Sequence, residues 1–324
     1  MSRSGGGRRE RTDLDAIDRR IIELLRDNGR LGNRALAAAT DSSEAGVAGR
    51  IRSMSAQRVL GITAIIDWEV AGYEWDVWLE VVAGGRALGD VGADLAALTG
   101  THSVQTVFGP VDFIVHALLP KRSDAVAFIV DTVAAVPGVR TVRPNITLET
   151  LKYTVQYARV PVSARPLAFP AAEMGLDDLD RRIIGALTTD GRQSNREIAR
   201  SLDVSEGTIR MRLRRMERAG LLRIVGQSDP YATGLVSAWA YTMVKVDGGH
   251  ARAVAEQVAL LPETTIVALI AGSNDIIVGL AAASRARLVD TVIEQMRAIA
   301  HVSATETWEV VHTIAFNYQW ARLL

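Results

Sequence analysis

Cysteine is absent from all 324 residues, which excludes disulfides, thiolate metal ligands and cysteine nucleophiles. No apolar run reaches the roughly 18 residues of a membrane helix, and the N-terminus lacks the apolar segment of a signal peptide, so a cytoplasmic protein without membrane contact is expected. Net charge is missing too: 37 basic residues balance 37 acidic ones. Any affinity for nucleic acid must therefore come from local patches. There is no P-loop, no G-x-S-x-G elbow and no dinucleotide fingerprint. The five histidines (His102, His116, His250, His301, His312) show no metal-ligand spacing with carboxylates. His116, alternating within an apolar strand, reads as a satisfied core or interface residue. These absences leave no catalytic residue, metal or cofactor to assign. Hydrophobic content of 48% supports sizeable cores, and the length suits two or more domains.

What is present is a duplication. Leu14-Asp15-Ala16-Ile17-Asp18-Arg19-Arg20-Ile21-Ile22 returns 162 residues later as Leu176-Asp177-Asp178-Leu179-Asp180-Arg181-Arg182-Ile183-Ile184. The same offset sets Gly29-Arg30 on Gly191-Arg192, Asn33-Arg34 on Asn195-Arg196 and Ser43-Glu44 on Ser205-Glu206. A period this long excludes a solenoid and suits a repeated two-domain unit.

In the second copy, Ser194 and Glu197 form a capping-box pair opening a short helix, and Ser205 is an N-cap for the next one. Ile209, Leu213 and Met216 mark its buried face, with Ala219-Gly220 as a stop. The outer surface carries Arg210, Met211, Arg212, Arg214, Arg215 and Arg218. Two helices joined at Asp203-Val204, the second apolar inside and basic outside, are how a helix-turn-helix meets DNA. In the first copy Ala45, Ala48, Gly49, Ser53 and Ala56 stand opposite Gly207, Arg210, Met211, Arg215 and Arg218, while Arg50 and Arg52 match Arg212 and Arg214. The first reading helix is thus degenerate, and the second is expected to read DNA. With one competent head per chain, a palindromic site needs two chains, their heads about 34 Å or a multiple apart.

Each copy continues as strand-helix-strand-strand-helix-strand. In the second, strands are expected over 236–246, 264–270, 275–281 and 303–316, with helices over 250–261 and 284–299. In the first, strands are expected over 75–82, 104–108, 112–118 and 139–150, with helices over 87–98 and 124–136. The fold class is α+β: two winged helix-turn-helix domains, each followed by a ferredoxin-like βαββαβ domain. The boundaries read as a disordered basic tail (1–12), a first helix-turn-helix domain (13–66), a first αβ domain (67–158), a Pro-rich linker (159–175), a second helix-turn-helix domain (176–228) and a second αβ domain (229–324). Arg3, Arg8, Arg9 and Arg11 in the tail are candidates to lie along DNA.

This pattern resembles the Lrp/AsnC (feast/famine) family of transcriptional regulators. The resemblance rests on Leu176-Asp177, Asp180-Arg181, Asp190-Gly191-Arg192, Arg196-Glu197-Ile198-Ala199, the Val204-to-Glu217 outline, Asp229-Pro230 with Gly234, and the turns Gly272-x-x-Asp275 and Gly109-x-x-Asp112. It implies DNA contacts from Ser205, Thr208, Arg210, Met211, Arg212, Arg214, Arg215 and Arg218, joined by Arg50 and Arg52. It also implies a small effector, commonly an amino acid, near Gly272, Ser273, Asn274 and Asp275 and their counterparts Gly109 and Asp112. Partners implied are double-stranded DNA, the effector, and other copies meeting through the ferredoxin-like domains, although two halves of one chain can also pair as a pseudo-dimer. Sirohaem decarboxylases resemble the same architecture and form the alternative. Their chemistry asks for a tetrapyrrole cleft, whereas the arginines here gather on the reading helix.

Overall fold

The computed structural model describes residues 13–154, 176–230 and 233–324. The expected basic tail and Pro-rich linker lie outside the described residues.

Capping side chains start every helix of the heads except the second one of the first head. Asp15 opens α1 (Ala16–Asp27) in a capping box with Asp18. Helix α2 (Asn33–Ala39) begins at Gly32 without a side-chain cap, and α3 (Glu44–Ala56) begins at Ser43, whose hydroxyl accepts from the Gly46 N–H. Strand β1 (Leu60–Asp67) leads to the αβ domain: β2 (Trp75–Ala83), α4 (Leu88–Ala97), β3 (Thr101–Phe108), β4 (Phe113–Leu119), α5 (Arg122–Ala127) and β5 (Val139–Tyr153). The second copy repeats the order with α6 (Asp178–Thr189), α7 (Asn195–Leu202), α8 (Glu206–Arg218), β6 (Leu222–Ser228), β7 (Ala238–Val246), α9 (Ala251–Ala259), β8 (Thr264–Ala271), β9 (Ile276–Ala282), α10 (Arg285–Asp290) and β10 (Val302–Phe316). A short β11 (Trp320–Ala321) ends it.

Two expected helices are not continuous. After α5 the chain widens into a π-helical turn at Phe128–Val133, and after α10 into another at Thr291–Gln295. The i+5 repeat of a π turn keeps Phe128 and Val133, and likewise Thr291 and Met296, on the buried side, where a 3.6-residue period drifts away.

Within each αβ domain the first strand is central, giving sheets ordered β5-β2-β4-β3 and β10-β7-β9-β8. The long strands β5 and β10 then run into the opposite half. Ile146 to Tyr153 pairs with β8, and Glu309 to Phe316 pairs with β3, closing one eight-stranded barrel. Closure leaves these two sheets no free edge. Trp78, Tyr241 and Trp308 fill the space between the sheets, while Phe113 and Val254 lie in the two separate helix-side cores. The pairing expected of two copies is thus met inside one chain.

The strand after each reading helix takes its ladder partner from the other head. Strands β1 and β6 form one antiparallel ladder from Leu60↔Ser228 to Ile66↔Leu222, with β11 parallel on the outer side of β1. The sequence pattern marks a strand or wing after each reading helix, at Leu221–Val225 in the second copy, and does not report their pairing with each other or with β11. Asp67, buried at the end of β1, anchors the C-terminal segment: it accepts two bonds from the Arg322 guanidinium, both 2.6 Å, and one from the Leu323 N–H.

Candidate nucleic-acid interface and effector seats

Helix α8 is placed by the apolar residues beneath it. Ile209, Leu213 and Met216 join the core containing Ile183, Ile184 and Ile198, and Asp203 takes a left-handed conformation (φ 56°) to make the sharp turn from α7. Ser205 caps the helix: its hydroxyl accepts from the Thr208 N–H at 3.0 Å and lies 2.8 Å from the Thr208 hydroxyl. Capping is therefore the first work of both residues.

The arginines separate into two groups. Arg212 donates to Asp177 and Asp180, and Arg215 donates to Asp180, whose carboxylate is completely buried at the start of α6. In the first head Arg50 makes the same bridge to Asp15 (2.7 Å) and Asp18 (2.8 Å). These three arginines, expected on DNA, hold α3 and α8 against the capping boxes of α1 and α6. A buried carboxylate needs such partners, because leaving it unpaired costs several kcal/mol. The Asp177 carboxyl is pulled below its ordinary range by the Asp180 N–H first and by Arg212 second.

Arg210, Met211, Arg214 and Arg218 face solvent, with Met211 63% exposed. Arg210 touches Glu206 one turn back, an exposed pair that a phosphate can displace. In the first head Ala48, Gly49, Arg52 and Ala56 take these places, and Arg52 alone is exposed and cationic.

The heads are locked to each other. The Gly29 N–H donates to the Ile224 carbonyl, and the Gly191 N–H donates to that of Ile62, both at 2.9 Å. A Cβ at either glycine would sit 2.9 Å from backbone of the opposite head. Arg30 crosses over to the Gly191 and Gln193 carbonyls and Asn195 Oδ1, and Arg192 returns to Asn33 Oδ1. In the sequence the repeated Gly-Arg pair marks the duplication, and nothing in it reports this reciprocal contact.

The two inter-strand turns sit on the opposite half's long strand. The Gly272 turn meets Asn145: a Cβ at Gly272 would lie 2.1 Å from Asn145 Oδ1, which accepts from the Ser273 N–H at 3.2 Å. Asn145 Nδ2 donates to Glu80 Oε1 at 2.9 Å, with Arg143 4.0 Å from the other oxygen. Burial pushes the Glu80 carboxyl up, and the Asn145 hydrogen bond and Arg143 offset this only in part. The Gly109 turn meets Trp308 instead, where a Cβ would lie 2.6 Å from the ring. Asp275 and Asp112 are engaged locally: each accepts a backbone N–H at 2.8 Å, from Val246 and Ala83. Asn274 is half-buried and Ser273 exposed.

At the neck between heads and barrel, buried His116 bonds Asp76 at 2.7 Å and stacks on Trp78 at 3.9 Å. Burial, and then His116, push the neighbouring His102 down, so it stays neutral. A cavity of about 20 Å³, room for one water, lies among Tyr153, Trp239, Phe316 and Trp320. Among the described residues no three His, Asp or Glu side chains are grouped to hold a metal, and no helix is long and apolar enough to cross a membrane.

The AsnC-type helix-turn-helix domain matches residues 14–55 and 176–217, and the Lrp/AsnC ligand binding domain matches 76–157 and 239–320. The HTH-type transcriptional regulator FL11 of Pyrococcus horikoshii is 31% identical over 147 residues, 45% of this chain and 97% of that protein. The regulator AldR of Mycobacterium tuberculosis is 30% identical over 138 residues, 41% of this chain and 75% of its own. Among solved structures, the siroheme decarboxylase NirDL matches 93% of this chain and 92% of its own with a TM-score of 0.65 at 13% identity, a likeness of fold. AsnC of E. coli matches 42% of this chain and 93% of its own, with a TM-score of 0.40 at 25% identity.

Proposed function

The chain belongs to the Lrp/AsnC family of transcriptional regulators, and from that premise we propose that its second head is the principal reader of double-stranded DNA and that an amino-acid effector acts at the Gly272 seat. The observation that carries the first part is the solvent-facing set Arg210, Met211, Arg214 and Arg218 on α8, against Arg52 alone on α3. Arginine is the side chain best shaped for bidentate contact with guanine and phosphate. Arg50, Arg212 and Arg215, tied to aspartates, act mainly by positioning the reading helices.

The effector part rests on the polarity of one seat. Glu80 complements an ammonium group, while the exposed Arg143 beside it complements a carboxylate. Trp308 fills the corresponding Gly109 seat. Copies of the chain meet, in this reading, through the outer helices of the αβ domains, where Val126, Val130, Val289 and Ile293 are exposed.

Binding of the full chain to its own upstream DNA, across a salt series and with each amino acid in turn, tests the reading. A steep salt slope and a shift with one amino acid are expected, and the shift is lost in Glu80→Gln. Salt-insensitive binding contradicts it. The chain-long likeness to a siroheme decarboxylase concerns architecture alone, and titration with an iron tetrapyrrole is expected to give no saturable change in absorbance.

A further inference from the structure

Both seams of the barrel are made within one chain, β5 with β8 and β10 with β3, so the sheets offer no edge to a second copy. The heads are joined just as firmly, by the β1–β6 ladder, by the two glycine contacts, and by Arg30 and Arg192 reaching across. One chain therefore holds two recognition helices on a single body, related by the pseudo-two-fold of the duplication. Two like helices in that arrangement read a palindrome. Here they are unlike. Where α8 presents Arg210, Met211 and Arg218, α3 presents Ala48, Gly49 and Ala56, none of which carries a side-chain hydrogen-bonding group to read a base edge. What the first head keeps is cationic but sparse: Arg52 opposite Arg214, and Arg34 opposite Arg196, all four exposed.

We propose, resting on the assignment of α8 as reader, that the DNA element bound by one chain is non-palindromic. One half-site is read in the major groove through Arg210, Met211, Arg214 and Arg218. The adjoining half-site, on one fixed side, is covered by the first head through phosphate contacts without base readout. The side is fixed because the locked heads allow a single placement of α3 relative to α8. Affinity then comes from both heads and sequence preference from one, which separates the two in experiment.

The test is selection from a random duplex library with the full chain, followed by hydroxyl-radical footprinting on the selected DNA. The expected motif has no internal dyad, and the footprint runs past it on one side by about one helical turn. Arg52→Ala weakens all sequences alike, by less than about tenfold, and leaves the motif unchanged. A gain-of-function variant, Ala48→Arg with Gly49→Met and Ala56→Arg, arms the first head. Gly49 has open space around its Cβ position, so the change fits the fold. This variant is expected to select a second, inverted half-site. A wild-type motif with equal information in two inverted halves overturns the inference and leaves DNA reading by α8 standing. Absence of any enriched motif overturns both.

Discussion

The two heads share a plan down to the aspartates beneath their reading helices and differ in what they turn to solvent. Arg50 bridges Asp15 and Asp18 as Arg212 bridges Asp177 and Asp180. Gly29 and Gly191 donate to matching carbonyls, and Asp112 and Asp275 close matching turns. Features kept in both halves and paired within the chain hold the fold together. The contrast lies in what differs: the exposed Arg210, Met211 and Arg218 belong to the second head, and the Asn145–Glu80 seat has Trp308 as its counterpart. Duplication thus supplies an internal control. A residue type that looks functional in one copy and recurs in the other, as Arg212 does in Arg50, is first suspected of structural work.

The comparison is broken most directly at the buried aspartates. Asp180→Ala removes a fully buried carboxylate, two arginine partners and half a capping box. It is expected to lower the stability of the second head by about 3 kcal/mol, against about 1–2 kcal/mol for Asp18→Ala in the first, which has a single arginine. Hydrogen exchange of α6–α8 and α1–α3 measures each; equal losses would remove the asymmetry. A Gly191→Val change forces side-chain atoms against the Thr63 backbone and is expected to cost about 1–3 kcal/mol and uncouple the heads, seen as separate unfolding steps.

Smaller effects sharpen the contrast. Ser194→Ala removes the cap of α7 and is expected to cost about 1 kcal/mol, whereas Gly32→Ser at the start of α2 gains a few tenths. Gly49→Ala in α3 gains up to about 1 kcal/mol, since its Cβ meets no neighbour. Thermal melting of the full chain follows all three.

The pH dependence has opposite signs in two places. Asp15 and Asp177 are held below the ordinary 3.8 by backbone N–H groups and by Arg50 and Arg212, so in both heads their contribution is present above that pH and fades in stronger acid. Glu80 is pushed above the ordinary 4.5 by burial. Its contribution is full below that pH and fades as pH rises through the raised value. Glu80→Gln is accordingly expected to raise the melting temperature above the transition and not below it. A uniform shift across pH would point to packing instead.

Much of the fold is legible in the sequence because its signals are local. The Ser194–Glu197 box, the Ser205 cap, the Ile209–Leu213–Met216 stripe and the Ala219–Gly220 stop act within a few residues of themselves, and α7 and α8 begin directly after Ser194 and Ser205, with α8 ending directly before Ala219. The β1–β6 ladder, the barrel seams and the Arg30 bridge join residues more than a hundred positions apart, where no periodicity reports them. The offset between copies also grows from 162 to 163 residues between the heads (14 onto 176) and the αβ domains (76 onto 239), which hides the match of Asn145 with Trp308. The arginines of α8 are ambiguous for a different reason. A guanidinium facing a phosphate and one facing an aspartate 35 residues upstream leave the same mark in a sequence.

The central claim, that one head reads DNA while the other supports it, is tested most directly by the salt dependence of DNA binding in three proteins: the wild type, Arg214→Ala with Arg218→Ala, and Arg52→Ala. Removing one arginine–phosphate interaction lowers the slope of log affinity against log salt by about one. The account predicts collapse of sequence preference in the second-head variant, with a fall in slope of at most about two units. In the first-head variant it predicts a fall of at most about one unit, with preference intact. Equal changes in slope and preference from the two heads would contradict it.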